Sequence, residues 1–221
     1  MPQSIAIDGP VGAGKTTAAK KLAEALGIRY LDTGAMYRAV ALQAIRQNIS
    51  LTDADALRRM LQNTTVSIRF EENSQRTMLD GEDVSELIRS PEVGNAGSVV
   101  SAYPFVRKKM VALQREIAGQ ADMVLDGRDI GTNVLPNAAF KFFLTATPEV
   151  RARRRHDELA ERGVSCDYQK IYDELMERDE RDMNRAVDPL TRAEDAITID
   201  ATELDLPGVL KKMVTIIKGG R

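Results

Sequence analysis

Short runs of apolar, mostly β-branched residues alternate along the chain with longer segments whose apolar residues recur at helical spacing. Runs of this kind are typical of buried strands, and the longer segments are typical of amphipathic helices. Strands that alternate with helices favour a parallel sheet covered on both faces. The pattern therefore predicts an α/β fold with a five-stranded parallel sheet and helices on both faces. The predicted strands are Ser4–Asp8, Ile28–Asp32, Met123–Asp126, Phe140–Thr145 and Ala196–Asp200.

Two regions interrupt this alternation. Between residues 63 and 84, two β-rich pieces flank a polar stretch, and Asp80-Gly81 follows as a turn signal, which predicts a small antiparallel insertion. Residues 151–185 are highly charged and predict two helices with few large apolar residues between them. Two interpretations of this second region remain open: a mobile helical lid, or a solvated hairpin whose charged faces form salt bridges.

Composition narrows the class of protein. The 221 residues most simply form one domain, 1–221, although length alone leaves two domains open. Lys and Arg number 31 against 33 Asp and Glu, so no global field would recruit nucleic acid or an anionic membrane. With one cysteine and one histidine, the chain has neither a disulfide framework nor a Cys/His metal cluster. We expect a cytoplasmic monomer, because signal, bilayer-spanning and coiled-coil patterns are all missing from the sequence.

Residues 9–16 match the G-x-x-x-x-G-K-[ST] phosphate loop. The segment follows one predicted strand and precedes the helical pattern Thr16–Leu26, as such a loop must. Its main-chain N–H groups and the helix N-terminus favour a β-phosphate, while Lys15 adds a charge between the β- and γ-phosphates. The residues expected to bind ATP are Gly9, Pro10, Val11, Gly12, Ala13, Gly14, Lys15, Thr16 and Thr17.

A phosphate loop alone does not identify the reaction. The chain lacks the Asn-Lys-x-Asp segment of GTPases and the Ser-Gly-Gly signature of transport ATPases. It carries instead arginines beside turns and strand ends, whose planar forks suit a second phosphate group. This indicates a phosphotransferase. Two alternatives remain open: a kinase of another small metabolite, such as a shikimate-like acceptor, and a nucleic-acid-associated ATPase, which the near-neutral charge disfavours.

Three further segments, in order and spacing around the phosphate loop, resemble the bacterial cytidylate kinase family. They are Asp-Thr-Gly-Ala-Met-Tyr-Arg at 32–38, Asp-Gly-Arg-Asp-Ile-Gly-Thr at 126–132 and Arg-Asp-Glu-Arg-Asp-Met-Asn-Arg at 178–185. The resemblance spans nearly the whole chain. It implies a P-loop nucleoside monophosphate kinase that transfers the γ-phosphate of ATP to CMP or dCMP, with Mg²⁺ as cofactor. It also implies a nucleotide-acceptor region over 33–105, which includes the insertion, and a lid with an arginine-rich helix over 151–185.

The same resemblance implies an acceptor site. Arg38 and Arg128 would hold the phosphate of CMP, while Ser98, Arg107 and Asp129 would surround the cytosine. A carboxylate at Asp129 suits the N4 amino donor of cytosine and opposes the carbonyl that uracil presents there. The full set of expected CMP-binding residues is Thr33, Tyr37, Arg38, Ser98, Arg107, Arg128, Asp129, Arg178, Asp182 and Arg185.

The remaining roles follow from the resemblance in the same way. Arg178 and Asp182 would contact the ribose hydroxyls, and Arg185 would lie on the base or ribose side. Thr16 and Asp126, the latter through water, would hold Mg²⁺. The acceptor is already a phosphate oxygen, so transfer needs positioning and charge neutralisation more than a general base. The expected catalytic residues are Lys15, Arg128, Arg154 and Arg181, with Arg154 closing over ATP.

Overall fold

The computed structural model describes residues 3–71, 74–161 and 163–219. Residues 72–73 of the predicted insertion and residue 162 of the predicted lid lie outside these ranges. The first part of the chain forms β1 (Ser4–Asp8), α1 (Lys15–Leu26), β2 (Arg29–Asp32), α2 (Thr33–Arg46), α3 (Ala54–Gln62), β3 (Val66–Glu71), β4 (Ser74–Leu79) and β5 (Glu82–Asp83). A short 3₁₀ helix, Leu87–Arg89, follows.

The second part of the chain contains the remaining helices and the other three strands of the main sheet. A π-helical turn, Ile130–Val134, follows the first of these strands, Met123–Gly127. The elements are α4 (Pro91–Val100), α5 (Pro104–Ala118), β6 (Met123–Gly127), β7 (Phe140–Thr145), α6 (Pro148–Glu161), α7 (Tyr168–Asn184), β8 (Ile197–Asp200) and α8 (Leu206–Gly219). No helix in the described ranges is both long enough and apolar enough to cross a bilayer.

The main sheet has the order β2-β6-β1-β7-β8, and all neighbours are parallel. The predicted five-stranded sheet is confirmed, with small differences at the strand ends. Ile28 precedes β2 because its N–H donates to the carbonyl of Ala23, 3.0 Å away, and closes the end of α1. Ala196 similarly donates to Ala193 in a turn, at 3.0 Å, before β8 begins.

Both faces of the central strands β1 and β6 are buried, which explains why most of their residues are apolar. Ile5 and Ile7 of β1 pack in one core with residues of α1 and α8. Ala6, between them, points to the opposite core, which α2, α4 and α5 cover. The carboxyl ends of β1, β2 and β6 therefore meet at one edge, where ligands bind in sheets of this kind.

The insertion is a three-stranded antiparallel sheet of β3, β4 and β5. Asp80 and Gly81 join β4 to β5 with φ of 50° and 89°, as a tight hairpin turn requires. Gln75 of β4 docks this sheet on the main one. Its amide oxygen accepts from the main-chain N–H of Asp32 at 2.7 Å, and its nitrogen faces the carbonyl of Asp32 at 3.3 Å.

The charged region 151–185 contributes two helices, as predicted. α6 and α7 pack against each other through a small apolar seam of Ala152, Leu159, Ile171 and Leu175. Whether this pair moves as a lid stays a prediction, as does the division of the chain into acceptor and lid regions.

Candidate active site

The phosphate loop lies between β1 and α1 and has the backbone that its glycines permit. Gly9 has φ of 146°, and a Cβ there would lie 2.0 Å from the carbonyl oxygen of Leu144. Gly14 precedes α1 with φ of 88°, a left-handed conformation that favours glycine. Because α1 begins at Lys15, its unpaired N–H groups are presented to the loop, where they favour an anion.

The side chain of Lys15 folds back onto the phosphate loop. Its Nζ donates to the carbonyl oxygen of Pro10 at 2.6 Å, and the side chain is buried. Burial, together with the nearby charge of Arg128, holds the pKa of Lys15 well below its usual range. A bound phosphate would raise this pKa, because it would add its negative charge to those of Asp126 and Asp179.

Asp126, near the end of β6, accepts hydrogen bonds from three hydroxyl groups. Thr16 Oγ1 donates to its Oδ2 at 2.8 Å and Tyr30 OH donates to its Oδ1 at 2.7 Å. Thr33 Oγ1 donates to the main-chain carbonyl of the same residue at 2.7 Å. Burial, and after it the charge of Asp32, raises the pKa of Asp126. A carboxylate beside a threonine hydroxyl is a set of oxygens that fits Mg²⁺.

The two arginines expected to bind the acceptor phosphate are each paired with a carboxylate. Arg38 Nη2 lies 2.7 Å from Asp32 Oδ2, and Arg128 Nε lies 2.8 Å from Asp182 Oδ2. Both arginine side chains stay partly exposed, at 21% and 18%. They can therefore meet an anion without unfolding, although the anion must compete with the carboxylates.

Arg178 lies beside this pair and carries a free donor. Its Nε is buried and has no hydrogen-bond partner in the described ranges. Burial, and then the charge of Arg128, lowers the pKa of Arg178 to about 10. A buried cation that faces Arg128 and Arg38, with Asp182 as the nearby carboxylate, is a favourable place for a negatively charged ligand.

Asp129 is fixed at three points in the predicted base site. Arg107 Nη2 donates to its Oδ2, Arg185 Nη2 donates to its Oδ1 at 3.0 Å, and Asn133 Nδ2 donates to its Oδ2 at 3.0 Å. Asp129, Arg107 and Arg185 are buried. Arg107 Nη1 has no partner among the residues described, so a donor remains for a ligand.

The two other acceptor-site residues lie around these arginines. Ser98 on α4 donates to Asp182 Oδ1 at 3.2 Å, which joins it to Arg128 through the shared carboxylate. Tyr37 places its ring 5.7 Å from the guanidinium of Arg107. Burial raises the pKa of Tyr37 to about 12, so its hydroxyl stays protonated at neutral pH.

Two expected catalytic arginines are engaged elsewhere in this structure. Arg154 Nη2 donates to the carbonyl of Ala201 at 2.7 Å. Arg181 pairs with Glu177 at 2.7 Å and donates to Asn95 Oδ1 at 3.2 Å. Contact of either guanidinium with ATP would have to use its remaining N–H groups or another side-chain conformation. Thr17 lies on the exposed side of α1.

Sequence reasoning missed Asp188, which bonds two arginines of the predicted base site. Its carboxylate accepts from Arg107 Nε at 2.9 Å, and its carbonyl accepts from Arg185 Nε at 2.7 Å. Its φ of 47° is uncommon for a residue other than glycine. The sequence carries no signal for this role, because the residue lies in a loop outside every motif.

Comparison with known proteins identifies the family. The cytidylate kinase family profile matches residues 5–219. The chain is 50% identical over 219 residues to a cytidylate kinase of Pelotomaculum thermopropionicum, with 99% of this chain and 97% of that protein covered. It is 49% identical over 213 residues to one of Caldicellulosiruptor bescii, with 96% and 94% covered.

Solved structures agree at the level of the fold. A shikimate kinase from Bacteroides thetaiotaomicron has a TM-score of 0.51 at 15% identity, with 98% of each chain covered. An uncharacterized protein from Eubacterium ventriosum has a TM-score of 0.56 at 13% identity, again with 98% of each covered. These likenesses support a P-loop kinase fold and carry no information on the acceptor. By the family match and its near-full-length relatives, the chain belongs to the cytidylate kinase family.

Proposed function

We propose that this protein transfers the γ-phosphate of ATP to CMP or dCMP and releases ADP with CDP or dCDP. The observation that carries the proposal is the buried Asp129 carboxylate, fixed by Arg107 and Arg185 in the structure that also holds the phosphate loop. A carboxylate oriented in this way is suited to an exocyclic amine. Family membership supports the same reaction.

The donor count at Asp129 leaves room for cytosine. An ionised carboxylate has about four lone-pair positions, and three protein donors occupy this one. The N4 amine of cytosine would use the remaining position, while the carbonyl of uracil would meet it with repulsion. Arg38 and Arg128 would take the phosphate, and Arg178 and Asp182 the ribose hydroxyls.

Phosphoryl transfer in this site depends on charge and position. Lys15 and the N–H groups at the start of α1 would hold the phosphates of ATP, and Arg128 would neutralise charge on the transferring group. The acceptor oxygen has little proton to lose near neutral pH, so no side chain needs to act as a general base. Enclosure by α6 and α7 would limit hydrolysis by water.

Thr16 and Asp126 are the residues that would hold Mg²⁺, Asp126 through water. When bound, the ion neutralises negative charge on the phosphate oxygens. The expectations of a cytoplasmic monomer without nucleic-acid or membrane partners remain predictions. Size-exclusion chromatography with light scattering tests the oligomeric state.

The proposed function is tested by coupled ADP release with ATP and Mg²⁺ against CMP, dCMP, UMP, AMP, GMP and no acceptor. We expect strong turnover only with CMP or dCMP. Lys15→Ala and Arg128→Ala should each lower turnover by roughly 10³-fold or more with the fold intact, since cations at this transition state contribute that much. Equal turnover without an acceptor, or near-normal turnover in either variant, would overturn the assignment.

Selectivity has a separate test in Asp129→Asn. The variant replaces one acceptor by an amide donor, so the ratio of CMP to UMP in kcat/KM should narrow by roughly 10²-fold. The same change at the exposed Asp55 is the matched control and should leave the ratio unaltered. Circular dichroism checks that the variant is folded. An unchanged ratio in a folded Asp129→Asn chain contradicts the role given to this carboxylate.

A further inference from the structure

Two lid-region helices bind the main chain of one residue of the phosphate loop, Val11. Asp179 of α7 accepts from the N–H of Val11 at 3.1 Å through its Oδ1. Arg151 of α6 donates to the carbonyl of Val11 at 3.0 Å, and the same Nη1 donates to Oδ2 of Asp179. Both polar groups of Val11 are thus bonded to side chains that are themselves paired.

This pair is built into the interior of the protein. The side chains of Arg151 and Asp179 are only 5% and 3% exposed. Arg151 Nε also donates to the carbonyl of Ala146 at 3.0 Å, which fixes the plane of the guanidinium. A Cβ on Gly12 would lie 3.2 Å from Cβ of Arg151, so α6 rests directly on the loop. An exposed ion pair contributes little, whereas a buried, hydrogen-bonded one fixes geometry.

Asp179 also belongs to the helix that faces the acceptor. Arg178 precedes it, and Asp182 follows one turn later with its hydrogen bonds to Arg128 Nε at 2.8 Å and to Ser98 Oγ at 3.2 Å. One helix therefore contacts the donor loop at one residue and the acceptor arginines at the next turn. None of the groups that would touch either nucleotide is itself part of the Arg151–Asp179 pair.

We propose that Arg151 and Asp179 are positioning residues, which set the distance and angle between the phosphate loop and the acceptor-binding face of α7. The proposal rests on the proposed function, because it assigns the pair a part in aligning ATP with the monophosphate. Neither residue carries this role in the sequence interpretation above.

The physical basis is the narrow tolerance of in-line transfer. A misplacement of about 1 Å between reacting groups can lower the rate about 10²-fold. Binding of each nucleotide alone depends on groups that the pair leaves in place, such as Lys15 on one side and Arg38 on the other. Loss of the pair should therefore act on turnover more than on the separate affinities.

Two variants test this inference. Asp179→Asn keeps the shape but removes the charge and turns an amide donor toward Arg151. Arg151→Lys keeps the charge, but one ammonium group cannot reproduce the planar fork that reaches Val11, Ala146 and Asp179. The matched control is Asp173→Asn on the exposed side of α7. In the wild type, Gln169 Nε2 donates to Asp173 Oδ1 at 2.8 Å, and the amide oxygen of the variant can still accept this hydrogen bond.

We expect kcat with CMP to fall roughly 10²-fold in both variants and to stay unchanged in the control. The Kd of ATP without acceptor and the Kd of CMP without ATP should each stay within about threefold of wild type, because the binding groups are retained. Thermal melting establishes that each chain is folded. If Asp179→Asn does not fold, kcat and the two Kd values of Arg151→Lys test the inference.

Hydrogen exchange of the Val11 amide gives a readout that does not depend on the acceptor. This N–H should exchange roughly 10-fold faster in Asp179→Asn than in the wild type or the control, because its acceptor is weakened. If wild-type protein fails to turn over CMP, the proposed function fails. The exchange measurement alone then tests whether Asp179 holds the N–H of Val11. Unchanged kcat in a folded variant, affinities that weaken in parallel with kcat, or unaltered Val11 exchange would overturn the inference.

Discussion

Asp8, at the end of the central strand, ties the phosphate-loop strand to the base site. Its carboxylate accepts from the N–H of Ile130 at 2.8 Å and from that of Gly131 at 2.7 Å. These residues directly follow Asp129, so Asp8 holds the turn that carries the carboxylate proposed to bind cytosine. Burial outweighs these hydrogen bonds and raises the pKa of Asp8 from 3.8 to about 6.

This raised pKa predicts a pH dependence of stability. Between about pH 4 and pH 6 the folded chain binds more protons at Asp8 than the unfolded chain does, so the free energy of unfolding falls as pH rises through this window. The expected contribution is about 3 kcal/mol, at about 1.4 kcal/mol per pKa unit. Denaturant unfolding of wild type and Asp8→Asn measures it, and their difference should level off above pH 6. Parallel curves from pH 4 to pH 7 would refute the assignment.

For single residues, the sequence predicts a role only where the residue lies in a motif. Lys15, Thr16 and Asp126 could be assigned because a strand end and a loop pattern fix where they lie, and the structure brings Thr16 and Asp126 together. Asp179 and Asp188 could not, because each acts through a long-range contact that only the folded chain creates. The apolar pattern of this charged helix gives no signal that Asp179 and Asp182 are buried while Asp173 is exposed.

The insertion and β2 form one unit through Gln75. The side-chain amide bonds both main-chain groups of Asp32, which also accepts from the N–H of Ala35 at 2.9 Å to begin α2 and pairs with Arg38. The apolar pattern could predict the insertion, because alternating β-rich pieces carry that signal. It could not predict the docking, which depends on one polar residue in a strand.

Gln75→Ala should therefore weaken binding of the acceptor. Loss of the amide leaves the N–H of Asp32 without its partner, which costs about 1–2 kcal/mol of stability, and loosens the residue that orients Arg38. We expect the KM for CMP to rise severalfold while the KM for ATP is unchanged, as measured by steady-state kinetics. Ser74→Ala, at the exposed start of the same strand, is the control. A rise in the KM for ATP alone contradicts this link.

On the scale of the whole molecule, a net charge of −2 conceals a local concentration of cations. The arginines of the proposed acceptor site are each close to a carboxylate, so the charge of this site is nearly balanced before an anion enters. The near-neutral composition disfavours a polyanion-binding surface, but it could not reveal this internal balance. The arginines concerned are Arg38, Arg107, Arg128, Arg178 and Arg185.

Ligand binding should consequently stabilise the whole fold. CMP at about 100 times its Kd should raise the free energy of unfolding by about 2.7 kcal/mol. For a chain of this size, that corresponds to an increase in Tm of about 5–10 °C. Thermal scans with CMP measure the shift, and cytidine, which lacks the phosphate, should produce less. Equal shifts with CMP and cytidine would show that the arginines do not hold the phosphate.

The contact between Gln75 and Asp32 has another consequence for the molecule, in its behaviour in concentrated solution. β2 is an outer strand of the main sheet, and unpaired groups on such a strand are a template for joining a strand from a second chain. The side-chain amide of Gln75 bonds the N–H and the carbonyl of Asp32, and the ring centre of Phe70 in the insertion lies 5.0 Å from the guanidinium of Arg29. We therefore expect the insertion to hinder pairing of a second chain with the end of β2 at Asp32.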